Sequence, residues 1–250
     1  MFALKGRNAV VTGAAAGLGR GIAVALAKQE ANVAICDLSA ADFHAVKDEI
    51  KAYGVKALTV EMDVMCEDSV NAGMDRIIEE FGTIDIVCCN AGTNTVESLE
   101  AISAENWDKH FDLNVRGAML PLKKAVPLMK SQNYGRIIFT SSTAGLVGRP
   151  NQPAYCATKG ALNAMARGLA LDYAEYGITV NCIAPTFVLT ELAKSRLENP
   201  EYREFVLGMI PMRRLATIED IGNAAVFLAS EEAGMTTGHV LTVDGGWTVQ

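Results

Sequence analysis

The chain has 250 residues, of which 50% are apolar and 20% are charged; this is typical of a globular protein with a substantial core. The formal net charge of −7 disfavours nucleic acid and anionic membranes as partners, since both require clustered Lys and Arg. No apolar run reaches the roughly 18 residues that a membrane span requires. A strand pattern begins almost at once, so we expect a cytoplasmic protein without a signal peptide.

Short β-branched runs alternate with helical patterns along the chain. We predict strands at 8–13, 32–37, 56–64, 84–92, 135–142, 178–185 and 239–246. Their few internal charges predict burial on both faces of a parallel sheet, with helices as the crossovers. No linker or repeat interrupts the series. We therefore predict a single α/β domain, 1–250, with a doubly wound parallel sheet flanked by helices.

The regular pattern stops between Pro185 and Pro211. This stretch is richer in charge and is interrupted by Pro200 and Gly208. Long insertions of this kind in a compact α/β domain are usually lids or binding loops. We predict a substrate-binding loop at about 186–212, and the alternative is a surface excursion with no role.

The first predicted strand runs into a glycine-rich turn, TGAAAGLG, and then into a helix. Glycines here let the backbone turn sharply and approach a phosphate, while the helix N-terminus offers free N–H donors to the anion. The position of the turn at the first strand–helix junction favours a dinucleotide. The predicted cofactor contacts in this turn are Gly13, Gly17, Leu18 and Gly19.

Asp37 ends the second predicted strand. A carboxylate there can accept hydrogen bonds from a ribose hydroxyl and would repel a 2′-phosphate. Neither Leu38 nor Ala16 supplies a basic side chain to hold such a phosphate. These features favour NAD over NADP, and the alternative for Asp37 is a helix cap or a turn.

Polar residues also end the third and fourth predicted strands. Ligands of open α/β sheets lie across the carboxyl ends of the strands. Asp63 could hydrogen-bond an adenine amino group, and the Asn-Ala-Gly turn would let the backbone pass close to a cofactor. The predicted cofactor contacts at these two ends are Asp63, Val64, Asn90, Ala91 and Gly92.

The stretch PAYCATKG places a tyrosine, a cysteine and a lysine within five residues. Tyr155 and Lys159 are four residues apart and share a helix face, so the ammonium can stabilise a phenolate. Cys156 lies about 100° around the helix and has no paired base in the sequence. None of the six cysteines forms a Cys-x-x-Cys pair, and we expect buried reduced thiols and no metal site.

These motifs together resemble the short-chain dehydrogenase/reductase family. TGAAAGLG, NAG, the Asn of FDLNVRG, the SS that closes a strand, YCATK and VNCIAPTFVLT occur in the order and spacing of that family. The resemblance covers essentially the whole chain. It implies a seven-stranded Rossmann-type sheet, a nicotinamide cofactor and usually a homotetramer.

The resemblance also implies roles for individual residues. Tyr155 would exchange the proton of the alcohol, Lys159 would lower its pKa, and Ser142, rather than Ser141, would polarise the substrate oxygen. Asn114, in a predicted helix over 105–130, would complete a proton relay. The remaining expected contacts are Pro185, Val188 and Thr190 to the nicotinamide, and Ser142, Gln152 and Tyr155 to the substrate. Thr186 replaces the usual glycine of this stretch, which leaves the loop shape open.

Family membership does not determine the substrate. We predict an NAD-dependent dehydrogenase of a small polyhydroxylated alcohol, namely a polyol, a sugar or a sugar acid. A 3-oxoacyl-acyl-carrier-protein reductase is the runner-up, although Asn133 and Tyr176 stand where such enzymes commonly carry basic residues. A steroid or cyclic-ketone reductase and a catalytically inactive dinucleotide sensor are the remaining alternatives.

Overall fold

Seven parallel strands form one sheet in the computed structural model, which describes residues 1–38, 43–190 and 197–249. The strands are β1 Asn8–Thr12, β2 Asn32–Asp37, β3 Ala57–Glu61, β4 Ile86–Cys89, β5 Gly135–Thr140, β6 Ile178–Pro185 and β7 Val240–Val243. Their spatial order is β3-β2-β1-β4-β5-β6-β7, and each neighbouring pair is parallel. The prediction of a doubly wound, Rossmann-type α/β fold is confirmed.

Helices cover both faces of this sheet. They are α1 Gly17–Lys28, α2 Phe43–Lys51, α3 Glu67–Phe81, α4 Ala104–Phe111, α5 Gly117–Gln132, α6 Pro153–Tyr173, α7 Pro200–Met209 and α8 Ile218–Ala229. Helices α1, α2 and α8 share one apolar core with the sheet, and α3, α5 and α6 share the other. Successive residues of β1 alternate between these two cores, because side chains of a strand point to opposite faces.

Helices α1 and α8 approach each other closely through glycine. A Cβ atom on Gly21 would lie 1.9 Å from Cγ2 of Ile218, and one on Gly222 would lie 2.8 Å from Cβ of Ala25. Helix α8 begins with a capping box in which Thr217 and Asp220 each accept from the other's backbone N–H. The junction therefore holds α8 firmly beside the start of α1.

The structure corrects several predicted boundaries. The strands predicted at 56–64, 84–92 and 239–246 are shorter, because their polar carboxyl ends turn out of the sheet. The helix predicted over 105–130 is divided by a π-helical turn, Asp112–Arg116, into α4 and α5. The predicted loop 186–212 contains α7, while its residues 191–196 lie outside the described part of the chain. No helix among the described residues is long and apolar enough to cross a membrane.

Candidate active site

A crevice of about 1270 Å³ lies at the carboxyl ends of the strands. It opens beside β1, whose neighbours β2 and β4 lead to opposite halves of the sheet, which is where ligands of doubly wound folds bind. The volume exceeds the roughly 300–1,000 Å³ of common small-molecule sites. The predicted site residues on its wall are Gly17, Leu18, Asn90, Gly92, Ser142, Tyr155, Lys159, Pro185 and Thr190.

The glycine-rich turn forms one end of this crevice. Gly13 and Gly17 have φ angles of 64° and 55°, a region that glycine adopts without strain. A Cβ atom on Gly19 would lie 2.0 Å from the carbonyl oxygen of Gly13, so α1 can begin here only if this residue is glycine. Ala16 caps the helix without a side-chain hydrogen bond. The first N–H groups of α1 thus receive no side-chain cap and can hold an anion.

Asp37 stands next to the glycine-rich turn but does not line the crevice. Its Oδ2 accepts a hydrogen bond of 3.0 Å from the Ala15 N–H, and its Oδ1 accepts one of 2.7 Å from the Leu38 N–H. The carboxylate therefore has a fixed orientation at the rim of the turn. The alternative of a helix cap concerns residues 39–42, which lie outside the described residues.

Asn90 joins three strands at the crevice floor. Its Nδ2 donates to the carbonyl oxygens of Thr12 and Gly13 at 3.1 and 3.2 Å. Its Oδ1 accepts from the Thr140 hydroxyl at 3.2 Å. The backbone N–H groups of Asn90 and Ala91 both donate to the Thr12 hydroxyl. The Asn90 side chain thus holds β1, β4 and β5 in register beneath the cofactor position.

Asp63 and Val64, at the end of β3, lie away from the crevice wall. The Asp63 Oδ1 accepts a 2.9 Å hydrogen bond from the Met65 N–H, which closes a tight turn. Val64 is buried, and its Cγ2 would lie 2.9 Å from a Cβ atom on Gly117. This geometry gives both residues a local structural role, and the adenine contact of Asp63 stays a prediction.

Asn114 lies in the π-helical turn between α4 and α5 and is 1% exposed. Its Oδ1 accepts from the Thr93 N–H at 2.7 Å, and its Nδ2 donates to Thr93 O and to the Thr158 hydroxyl, both at 3.0 Å. A Cβ atom on Gly92 would lie 3.0 Å from Asn114 Oδ1. The turn, a feature often found at functional sites, therefore connects the Asn-Ala-Gly loop to α6.

The structure distinguishes the two serines that close β5. The Ser141 hydroxyl is turned to α6 and donates to Asn163 Oδ1 at 2.7 Å and to Lys159 O at 3.2 Å. The Ser142 hydroxyl caps the following turn by accepting from the Ala144 N–H, and it acts on the phenol of Tyr155 by lowering its pKa. Ser142 is thus the serine that faces the tyrosine, as the spacing predicts.

Tyr155 and Lys159 lie one turn apart on α6. The Lys159 Nζ lies 5.5 Å from the centroid of the Tyr155 ring and donates a 2.6 Å hydrogen bond to Thr140 O. Burial lowers the pKa of Lys159 to about 8. Burial raises the pKa of Tyr155, whereas the Ser142 hydroxyl and the Arg149 charge lower it. Burial outweighs the effect of these two groups, so the pKa of Tyr155 is raised and does not fall towards neutrality as the sequence suggests.

The segment after β6 runs along the opposite wall. Val188 pairs with Ala216 in an isolated parallel bridge and is buried in the core, so only its backbone is available to a ligand. Thr186 is not among the described non-glycine residues with positive φ, so the local backbone does not require glycine. Its hydroxyl is buried and has no hydrogen-bond partner among the described residues.

Sequence reasoning missed several groups around the crevice. Asn94 and Thr140 line it, and Asn94 Oδ1 is buried without a partner among the described residues. The position of Asn94, two residues beyond the Asn-Ala-Gly turn, was the available signal. Gln152, expected at the substrate, precedes the first residue of α6 and is not on the crevice wall.

The cysteines are less uniformly buried than predicted. Four are buried, namely Cys36, Cys88, Cys89 and Cys182, whereas Cys66 is exposed and Cys156 is half-buried. Cys66 is the residue just before α3, where the chain is at the surface. Within the described ranges, no group of three or more His, Cys, Asp or Glu residues could hold a metal ion.

Comparison with known proteins supports this geometry. Residues 13–248 match the family model described as enoyl-(acyl carrier protein) reductase. The chain is 36% identical to 3-oxoacyl-(acyl-carrier-protein) reductase FabG of Staphylococcus aureus, over 96% of this chain and 97% of that protein. It is 38% identical to glucose 1-dehydrogenase 2 of Bacillus subtilis, over 98% and 96% of the two chains.

Solved structures are also similar to this chain. A gluconate 5-dehydrogenase from Burkholderia cenocepacia, in complex with NADP and tartrate, superimposes with a TM-score of 0.95 at 30% identity. The alignment covers 100% of this chain and 98% of that one. The chain is a short-chain dehydrogenase/reductase.

Membership in the short-chain dehydrogenase/reductase family makes the chain an oxidoreductase with a nicotinamide cofactor. The crevice fits such a cofactor. The first turn of α1 has no side-chain cap to compete with a pyrophosphate. On the wall after β6, the Thr186 hydroxyl has no hydrogen-bond partner in the described part of the chain. A Cβ atom on Gly92 would lie 3.0 Å from Asn114 Oδ1 and 3.7 Å from Asn90 O, so this edge of the crevice has no room for a side chain on Gly92.

Proposed function

We propose that this short-chain dehydrogenase/reductase is an NAD-dependent dehydrogenase that oxidises a secondary alcohol of a small polyhydroxylated substrate. The observation that carries the proposal is the meeting of Ser142, Tyr155 and Lys159 in one crevice. Asn114 is tied to the same helix through Thr158, whose hydroxyl donates to the Tyr155 carbonyl. Such a set combines an acid/base group, an oxygen-binding hydroxyl and a cation.

Each of these groups has a definite task in alcohol oxidation. A nicotinamide cofactor held in the crevice would supply the acceptor for the hydride of the carbinol carbon. Tyr155, as the phenolate, takes the hydroxyl proton of the substrate, and Ser142 hydrogen-bonds the same oxygen as it becomes a carbonyl. The buried ammonium of Lys159 favours the phenolate, because an opposite charge nearby stabilises the ionised form. Since burial raises the pKa of Tyr155, oxidation should accelerate as the pH rises.

Asp37 supports the preference for NAD. Its carboxylate is held at the glycine-rich turn by the Ala15 N–H, where it would accept from a ribose 2′-hydroxyl and repel a 2′-phosphate. Arg20, one turn into α1, is already paired with Glu49 at 2.8 Å. The gluconate 5-dehydrogenase relative was solved in complex with NADP. The ratio of kcat/KM with NAD to that with NADP is therefore the measurement that tests this preference.

Polar groups around the crevice support a polyhydroxylated substrate. The amide oxygen of Asn94 is buried without a partner among the described residues and lines the same crevice as Ser142 and Tyr155. The glucose and gluconate dehydrogenase relatives are named for substrates of this class. The FabG relative favours a 3-oxoacyl thioester as the second candidate. We also propose a homotetramer, as the family resemblance implies, and a cytoplasmic location.

A substrate panel tests this proposal. Polyols, aldoses, sugar acids and an acetoacetyl thioester would each be assayed by NADH absorbance with the wild-type protein and with Tyr155→Phe. We expect NAD-dependent oxidation of at least one polyhydroxylated alcohol, and a loss of at least about 10²-fold in Tyr155→Phe, because the general base is removed. Reduction of the thioester as the only activity would instead support the second candidate.

A further inference from the structure

Arg149 is a partly buried cation whose hydrogen bonds are mostly unmade. It lies between the turn after β5 and the start of α6, and its Nη2 donates to the Thr143 hydroxyl at 3.0 Å. Its Nε is buried and has no partner among the described residues. It forms no ion pair with a carboxylate in the described part of the chain. A guanidinium has five N–H donors, and leaving them unpaired while desolvated is unfavourable.

Two aromatic rings hold this guanidinium by its faces. The Arg149 Cζ lies 4.4 Å from the centroid of the Phe187 ring and 4.9 Å from that of Trp247. The Phe187 ring in turn contacts Trp247 at 5.7 Å and Tyr202 of α7 at 6.1 Å. Ring contacts of this kind use the π face of the cation and leave the N–H edge free. The edge of a guanidinium matches a carboxylate in a bidentate arrangement.

Arg149 does not itself line the crevice, but its hydrogen-bond partner Thr143 directly follows Ser142, which does. The charge of Arg149 lowers the pKa of Tyr155 and interacts with Tyr202, while burial lowers the pKa of Arg149 itself. Phe187 directly follows Thr186, which lines the crevice together with Tyr155 and Ser142. The positive charge of Arg149 is therefore close to the part of the crevice that Ser142, Tyr155 and Thr186 line.

A purely structural role accounts for these contacts less well. A side chain that only linked the turn at Thr143 to Trp247 would need to be long enough to cover the rings, but it would not need a buried and unpaired Nε. Such an atom is unfavourable unless an acceptor completes it. No described residue supplies that acceptor.

We propose that Arg149 binds a carboxylate of the substrate, so that the alcohol oxidised at Tyr155 belongs to a hydroxy acid rather than to a neutral polyol. This inference rests on the proposed function and narrows its substrate class. The unpaired Asn94 amide oxygen would receive a substrate hydroxyl. The acid is thus held at both ends with its carbinol between them.

A kinetic comparison tests the role of Arg149. D-gluconate and D-glucitol differ at the end of the chain, where a carboxylate replaces a hydroxymethyl group, and each would be assayed with the wild type, Arg149→Gln and Arg149→Lys. We expect Arg149→Gln to lower kcat/KM for the acid by about 10- to 100-fold, the effect of a charge-assisted hydrogen bond, and to change the polyol value little. Arg149→Lys should recover part of the loss, since it keeps the charge but not the fork.

A binding measurement keeps the proposal testable if gluconate is not oxidised. Trp247 contacts Arg149, and the second tryptophan of the chain, Trp107, would be removed by Trp107→Phe. The fluorescence of the NADH complex would be titrated with tartrate and with threitol, its neutral counterpart. We expect saturable binding of tartrate only, weakened at least about tenfold by Arg149→Gln.

A matched control separates direct contact between Arg149 and the carboxylate from a general effect of the protein's positive charge. Arg203→Gln removes the same charge from an exposed position of α7 and should change neither measurement. Two results would overturn the proposal and support a purely structural role. One is an equal loss of kcat/KM for the acid and the polyol together with a lower Tm in Arg149→Gln, and the other is tartrate binding that survives Arg149→Gln. An inactive wild type that still binds tartrate through Arg149 would instead count against the proposed function.

Discussion

Lys159 is a buried lysine, although lysine side chains are usually exposed. It is 5% exposed, and its ammonium has one described hydrogen bond, to Thr140 O. Burial lowers its pKa from 10.5 to about 8, because a low-dielectric environment disfavours the charged form. The lysine is therefore held at a cost in stability, as an ammonium that is ready to favour a phenolate.

This environment predicts a pH-dependent stability. Between about pH 8 and pH 10.5 the unfolded chain holds a proton that the folded chain has lost, so the free energy of unfolding rises with pH. Relative to Lys159→Met, the wild type should gain up to about 3 kcal/mol across this window. Urea unfolding at a series of pH values measures the difference. Lys51→Met, at an exposed site of α2, is the control, and parallel profiles for wild type and Lys159→Met would contradict the buried ammonium.

Asp37 predicts cofactor selectivity at the same scale. Asp37→Ala removes both the repulsion of a 2′-phosphate and the acceptor of the Ala15 N–H, so the NAD/NADP ratio of kcat/KM should fall at least about tenfold. Asp37→Asn keeps an acceptor for Ala15 and removes the charge alone. It should lose discrimination with a smaller rise in the KM for NAD. An unchanged ratio in both variants would remove the ribose assignment.

At the scale of elements, the position of the cofactor turn depends on how α8 packs against α1. Gly21 and Gly222 allow the two helices to touch, and the capping box at Thr217 fixes where α8 begins. Ile218, Glu219 and Asn223 of α8 also line the crevice. A displacement of α8 would therefore change the position of the glycine-rich turn and also the part of the crevice wall that α8 forms.

Gly21→Ala tests this packing. The new Cβ would lie 1.9 Å from Ile218 Cγ2, so the Ile218 side chain or α8 itself must shift. We expect a loss of about 1–3 kcal/mol in stability together with a higher KM for NAD. Gly168→Ala in α6 is the matched control, because no atom lies within 4 Å of its added Cβ. That variant should be neutral or stabilising by up to about 1 kcal/mol. Equal Tm values for the two variants would show that the packing of α8 against α1 adapts without loss of stability.

At the scale of the whole molecule, the crevice joins the two halves of the sheet. Its wall is formed by residues of α1, β5, α6 and α8, of the turn after β4 and of the segment after β6. A ligand that bridges them stabilises only the folded chain. The stabilisation follows from mass action, at about 2.7 kcal/mol for a concentration of 100 times Kd.

Calorimetry should therefore show cofactor-dependent thermal stability. We expect NAD to raise the Tm by several degrees and NADP to raise it less at equal concentration, because Asp37 weakens NADP binding. Tyr155→Phe should retain most of the NAD effect, since the phenol contributes more to proton transfer than to binding. A larger shift with NADP would reverse the proposed cofactor preference.

The sequence by itself determined the fold class and the order of the candidate site residues. Strand–helix alternation and the motif spacing are local signals. The residues that these signals singled out, namely those of the glycine-rich turn, Ser142, Tyr155 and Lys159, meet at one crevice. Boundaries were less accurate, because the polar residues that end β3 and β4 could belong either to a strand or to the turn that follows it.

Only the tertiary structure decided what depends on contacts between distant segments. Hydrogen bonds from Ser141 to α6 separated it from Ser142, and the π-helical turn turned Asn114 towards Thr93 and Thr158. The pKa directions of Tyr155 and Lys159 followed from desolvation, which no local pattern encodes. Arg149 carried no motif at all. Its interest arises because Phe187 and Trp247, far apart in sequence, meet around its charge.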